Sequence, residues 1–379
     1  MRCADNNQGV PATGGSDYEP GSAWPGGAWS RAIVMLAVLV VSPIKLSLAQ
    51  DTTGPDLQIG GHLDVQAVGR DAALGRNDFS VGQLTFDVSS QFNRQWAGAV
   101  QVAYDLDEEF VIDEAYVNWT VFDWPEGVPR RDPAGITHAA FRIGQFDVPV
   151  GLDWRVYSSF DRKLVSVPVV VANTHRGWND VGVEFYGRTT WSNWSISAVN
   201  GFGTSPALRL PIREPTPLTA ENDALGAIVP TEAFGARFGL VMNANFEFGT
   251  SYAAGYTDDD RLAERFWIFD LTAQFEHLEL KGEFISHEHD RMSDRQTDVG
   301  YYMQGAWTHG ALYGVVRLDA YRPEGSEVYP LGIMADETLM CGSFGGGYRV
   351  HRFAHVRAEY QLAEGSSNDM VYLQTAIAF

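Results

Sequence analysis

The residues best placed to do chemistry are basic side chains set in an acidic chain of net charge −21. Between Val150 and Trp178, Arg155, Arg162, Lys163 and Arg176 face only Asp153 and Asp161. In a narrow, low-dielectric passage such a local surplus attracts anions and repels cations. In open water the same groups form a solvated loop, with Asp161 pairing with its basic neighbours. Further along, Arg142, Arg188, Arg237, Lys281, Arg317, Arg349 and Arg357 occupy polar positions of alternating segments. Asp64, Asp87, Asp105, Glu184, Glu247, Glu279, Glu283, Asp319 and Glu359 do the same. Opposite charges on one face create a transverse field that orders water and suits small polar solutes.

Other constellations carry less. In a strand, His287 and His289 of His287-Glu288-His289-Asp290 share a face while Glu288 points away. The run is read as a polar loop edge, with no metal expected. Gly203-Thr204-Ser205 and Gly342-Ser343-Phe344-Gly345 lack the strand, elbow and helix that a nucleophilic Ser needs. Asp258-Asp259-Asp260 lacks the Gly and Glu spacing of a calcium loop. No catalytic residue and no cofactor is therefore expected, and the strong negative charge excludes non-specific nucleic-acid binding.

The elements that must position these residues repeat one theme. Leu57, Ile59, Leu63, Val65 and Ala67 fall on one face, and Gln58, His62, Asp64 and Gln66 on the other. Leu84, Phe86 and Val88 alternate with Gln83, Thr85, Asp87 and Ser89, and Trp96, Val100, Val102, Tyr104 and Leu106 form the next apolar face. Later segments begin near Val111, His138, Asn179, Thr190, Glu232, Asn245, Arg265, His277, Asp298, Gly310, Gly342, Ala354 and Asp369, giving sixteen in all. Segments of this length with period two, separated by turn chemistry, read as strands of a transmembrane barrel. Gaps after even-numbered segments are short and several after odd-numbered ones are long, as periplasmic turns and extracellular loops are. The exception is Asp123 to Thr137, long where a short turn is expected. The fold expected is therefore all-β, a transmembrane antiparallel β-barrel of sixteen strands, with a long third external loop folded inward.

The one strongly apolar run, Ala32 to Val41, is ten residues long, short of the roughly 20 that a spanning helix needs. Arg31 precedes it and Ser47-Leu48-Ala49 follows, so residues 30–49 read as a secretory signal peptide. Residues 1–29 read as a disordered extension or a start assigned too early, and 50–379 as the barrel. Three basic and three acidic residues leave with 1–49, so the charge balance is unchanged. Cys341 is then the only cysteine, which excludes an internal disulfide. The last segment alternates Val371, Leu373, Thr375, Ile377 and Phe379 with Tyr372, Gln374, Ala376 and Ala378, resembling the terminal strand that outer-membrane proteins present for assembly. Trp96, Tyr116, Trp119, Trp191, Trp194, Trp307, Tyr360 and Tyr372 lie near segment ends, as interfacial girdles require.

The stretch Phe141-Arg142-Ile143-Gly144-Gln145-Phe146-Asp147-Val148-Pro149-Val150-Gly151-Leu152-Asp153, with Asp113-Glu114-Ala115-Tyr116-Val117 before it, resembles the porins that include the phosphate-selective porins O and P. Asn173-Thr174-His175-Arg176 and Asp180-Val181-Gly182-Val183 fit the same pattern. The resemblance implies a sixteen-stranded barrel in the bacterial outer membrane, a homotrimer whose third loop constricts the pore. It implies passive diffusion of small hydrophilic solutes or inorganic anions, with outer-membrane lipid as the surrounding partner. The Arg and Lys ladder on which phosphate preference rests in that family is not carried over to this acidic chain. The alternatives are a barrel whose loops bind a surface partner and an outer-membrane hydrolase.

Overall fold

The computed structural model describes residues 56–70, 78–104, 110–124, 135–152, 159–175, 177–202, 233–243, 245–256, 262–291, 294–324, 338–363 and 369–379. Residues 1–49, read from the sequence as an extension and a signal peptide, lie outside these residues. The strands are β1 (Asp56–Arg70), β2 (Asp78–Gln91), β3 (Trp96–Tyr104), β4 (Phe110–Asp123), β5 (His138–Asp147) and β6 (Asn179–Arg188). Then come β7 (Ser192–Val199), β8 (Ala233–Asn243), β9 (Phe246–Tyr256), β10 (Ala263–Gln274) and β11 (Leu278–Arg291). The last are β12 (Asp294–His309), β13 (Leu312–Arg322), β14 (Leu339–His351), β15 (Ala354–Ala363) and β16 (Met370–Ala378). One helical turn, α1 (Val169–Asn173), lies between β5 and β6.

Each strand pairs antiparallel with its neighbours in chain order, and β1 pairs with β16 to close the barrel. Closure leaves no unpaired edge, the condition for placing strands in lipid. Fifteen of the sixteen strands begin within four residues of where the alternation places them, and β2 begins at Asp78, five residues before Gln83. At the seam His62 opposes Ala378, and the Phe379 amide donates to the Gly61 carbonyl at 3.0 Å.

The barrel reverses the usual soluble arrangement. Leu57, Ile59, Val88, Val100, Ile143, Phe284, Met303 and Leu318 are exposed on the outside. Asp64, Thr85, Glu184, Arg237, Asp270, Arg317, Asp319 and Arg357 are buried within. Such an exterior is stable only in an apolar surround. Trp96 and Trp119 stack on the outer face with centroids 5.7 Å apart. Tyr116, expected in the same girdle, instead turns inward beneath Arg142. Its strand carries a register shift between Gln101 and Val102 of the partner, and a bulge of that kind alters which side chains face in.

On the rim that carries the described chain end, the connections 92–95, 189–191, 244–245, 275–277, 310–311 and 352–353 are tight. On the opposite rim, 148–178, 200–232 and 323–338 are long. The β4–β5 connection, 124–137, remains long on the tight rim, where Trp124 donates to Thr137 and Thr137 to Arg188, both at 2.8 Å. Conversely, β11 and β12 are joined by residues 292–293 alone, shorter than the alternation suggests.

Candidate functional site

The described residues of the β5–β6 connection contact inward-facing side chains of the wall. Two glycines stand where no side chain fits, one in β5 and one at the start of the connection. Gly144 in β5 has φ +133°, and a Cβ there would lie 2.2 Å from the Ala115 carbonyl. Gly151 has φ +63°, and a Cβ would meet a Glu283 carboxylate oxygen at 2.3 Å. Both positions combine a left-handed backbone with an approach too close for any side chain.

After β5 the chain buries Val148 and Val150 against Phe146, Trp178, Phe266, Ile268, Ile285 and the valines of α1. Phe266, Ile268 and Ile285 face inward, where polar residues otherwise predominate. The sequence signal for this was Phe266-Trp267-Ile268-Phe269, apolar on both faces, which implies cover on both faces.

Buried backbone groups need partners, and the wall supplies them. The Gly151 amide donates to Ser251 Oγ at 3.0 Å, and the Leu152 amide to Glu283. Arg237 Nε donates to the Gly151 carbonyl at 3.1 Å, while its guanidinium also holds Asn193, Glu247 and Asp270 at 2.7–3.1 Å. The Ser159 amide reaches Gln83 at 3.0 Å, and Arg357 donates to the carbonyls of Ser159 and Arg162. Glu359 accepts from the amides of Val165 and Ser166 at 2.6 and 2.8 Å. Arg317 lies 2.9 Å from Asp319 and donates to the Ser166 carbonyl at 2.8 Å, and Asp319 accepts from the Val169 amide at 3.2 Å. Arg237, Arg317 and Arg357 are thus buried anchors for the segment.

The remaining basic residues have other settings. Arg142 lies 3.1 Å from Glu184, with its guanidinium 4.6 Å from the Tyr116 ring centre and 5.3 Å from that of Tyr186. Lys281 is half-buried in β11, and Arg188 and Arg349 are exposed near the tight rim. Arg162 follows Phe160, whose ring stacks on His355 at 4.2 Å. Lys163 Nζ lies 5.2 Å from the Tyr313 ring centre, and Leu164 packs on Ala306 and Val315. Arg155, Arg176, Asp105 and Asp153 lie outside the described residues.

Sequence reasoning named His287 and His289 as a same-face pair, read them as a polar loop edge, and missed their third member. His287 and His289 lie within β11 rather than at a loop edge, and both are buried on its inner face. Asp298 of β12, directly opposite His287 in register, joins them. Glu288 points outward, 3.9 Å from Arg265.

No family model matches the chain, and no curated protein matches it. Solved structures do. OmpT, an outer membrane protein of Vibrio cholerae, shares 11% identity in its trimer form, with a TM-score of 0.58 over 86% of this chain and 100% of that one. OmpF of Salmonella typhi, in complex with daunomycin, shares 10% identity with a TM-score of 0.57, covering 87% and 99%. A porin structure shares 11% identity with a TM-score of 0.52, covering 86% and 100%. At these identities the likeness is one of fold. A closed sixteen-strand barrel with an apolar exterior and a polar interior is an outer-membrane β-barrel, and the bacterial outer membrane is where this chain resides.

Proposed function

We propose that the chain is a porin, a passive diffusion channel for small hydrophilic solutes, with the β5–β6 segment acting as its inward-folded third external loop. The observation that carries this reading is the hydrogen bonding of the Gly151, Leu152, Ser159, Val165 and Val169 amides to side chains of β9, β11, β2, β15 and β13. A surface loop has no need of buried wall arginines, whereas a constriction must be held in one place against the flow. Arg155, Arg162, Lys163 and Arg176 belong to this loop and set the field at the narrowest point. Arg142, with Glu184 across from it, lines the passage beside it. In this reading residues 30–49 direct export and are removed, and the barrel assembles as a homotrimer, as the trimer form of OmpT does. Diffusion needs no catalytic group and no cofactor.

Conductance of the purified protein in a planar bilayer tests the reading. Stepwise, ohmic current is expected, and Lys163→Gln should shift the reversal potential under a salt gradient toward cations. Correctly folded protein that passes no current would overturn the proposal.

A further inference from the structure

We infer that His287, His289 and Asp298 form a binding site for a divalent transition-metal ion of the zinc class, on the inner wall near the long-loop rim. Their donor atoms all lie within 4.8 Å of one another. His287 and His289, two apart in β11, project from the same face, and antiparallel register sets Asp298 opposite His287. The site stands at the end of the β11–β12 hairpin, whose connection is residues 292–293. Little chain entropy is therefore lost in holding the three donors together.

Distances and burial both favour an ion. A tetrahedral ion with ligands at about 2.0–2.1 Å keeps neighbouring donors about 3.3–3.4 Å apart. His289 Nε2 lies 3.3 Å from Asp298 Oδ2. His287 and His289 are 8% and 5% exposed, and among the described residues neither ring nitrogen of His287 nor Nε2 of His289 makes a well-directed hydrogen bond, the facing carboxylates standing 3.4 and 3.3 Å away. Buried groups left poorly paired are unfavourable, and coordination would satisfy them. Two imidazoles and one carboxylate suit zinc and its neighbours, whereas calcium and magnesium take oxygen ligands.

The surroundings hold the donors as outer-shell partners of a metal site do. The Tyr321 hydroxyl donates to Asp298 Oδ2 at 2.7 Å and the Glu324 amide to Oδ1 at 2.9 Å. Phe266 stacks on His287 at 4.1 Å with the planes 7° apart, fixing the imidazole. Glu264 Oε2 stands 3.4 Å from His287 Nε2, a second carboxylate beside the set. These contacts hold His287 and Asp298 in place, and the widest donor pair, up to 4.8 Å apart, closes around the ion.

The test is titration of the folded full chain in detergent with zinc ion alone, followed by calorimetry, and with cobalt ion, followed by visible absorption. One zinc per chain and the intense visible bands of four-coordinate cobalt are expected. His287→Gln and His289→Gln should each abolish uptake, and Tyr321→Phe should weaken it roughly tenfold. Calcium ion at the same concentration should not compete. No zinc uptake by the unmodified chain, a weak six-coordinate cobalt spectrum, or uptake unchanged in both histidine variants would overturn the site. The cobalt spectrum of the unmodified chain decides the question even where a variant fails to fold. Since binding is read without current, its failure is distinct from failure of the channel reading.

Discussion

Arg317 and Arg142 both project from the inner wall of one barrel, yet their surroundings differ. Around β13 and β15, Arg317 lies against Asp319 and Glu359 at 2.9 and 3.9 Å, with every one of these side chains at most 1% exposed. All three also bond to residues 165–169. Around β4, β5 and β6, Arg142 keeps 15% of its side chain accessible, between Glu184 and two tyrosine rings. Residue type and strand phase are the same in both regions. The difference among the described residues is that 165–169 bond to the first group, whereas Arg142 has Glu184 and the two tyrosine rings as neighbours. A charge on the inner face of a barrel is therefore structural or functional according to what lies over it.

Breaking the covered region should have the largest effect. Arg317→Ala leaves Asp319 and Glu359 buried without their cation and should cost about 3–5 kcal/mol, read from denaturant unfolding in detergent. The same variant should raise single-channel conductance as the segment loses its hold. Unchanged stability together with unchanged conductance would erase the distinction between the two regions.

The outer face supplies a reference between them. Val100→Arg puts a charge on the lipid side of β3, where an arginine near the midplane costs about 2–4 kcal/mol. Its conductance once folded should equal that of the parent. A variant that folds as well as the parent would mean that this part of β3 does not face lipid.

The open region should respond least in stability and most in selectivity. Arg142→Ala leaves one buried carboxylate, Glu184, where Arg317→Ala leaves two. It should therefore cost less, about 1.5–3 kcal/mol, the scale of one hydrogen bond to a charged group, and move the reversal potential toward cations. Should it destabilise the barrel as much as Arg317→Ala does, the open region is also structural.

Much of the fold was legible because a barrel strand has a period of two and needs opposite chemistry on its two faces. Leu57 to Ala67 could be phased by eye, and the pairing of β1 with β2 bears that phase out. Tyr116 was misplaced because a register shift in β4 is a backbone event with no clear signature in residue type. The candidate site was legible in part. The segment after β5 stood out by length and charge, and the inward arginines by alternation. Its anchors could not be told from free lining residues, nor could Asp298 be joined to His287 and His289 without the β11–β12 register.

Outside the bulged β4, the sequence by itself determined which side chains face outward and which face inward, because period two is local and a regular strand needs only its own residues to satisfy it. Only the tertiary structure decided which inward charges are spent. Ser166 and Glu359 are 193 residues apart in the chain and meet because the barrel closes and the segment folds back across it. A carboxylate in an alternating strand looks the same whether it faces water or a backbone amide. The amide that claims it belongs to a distant part of the chain, and no local pattern records that meeting.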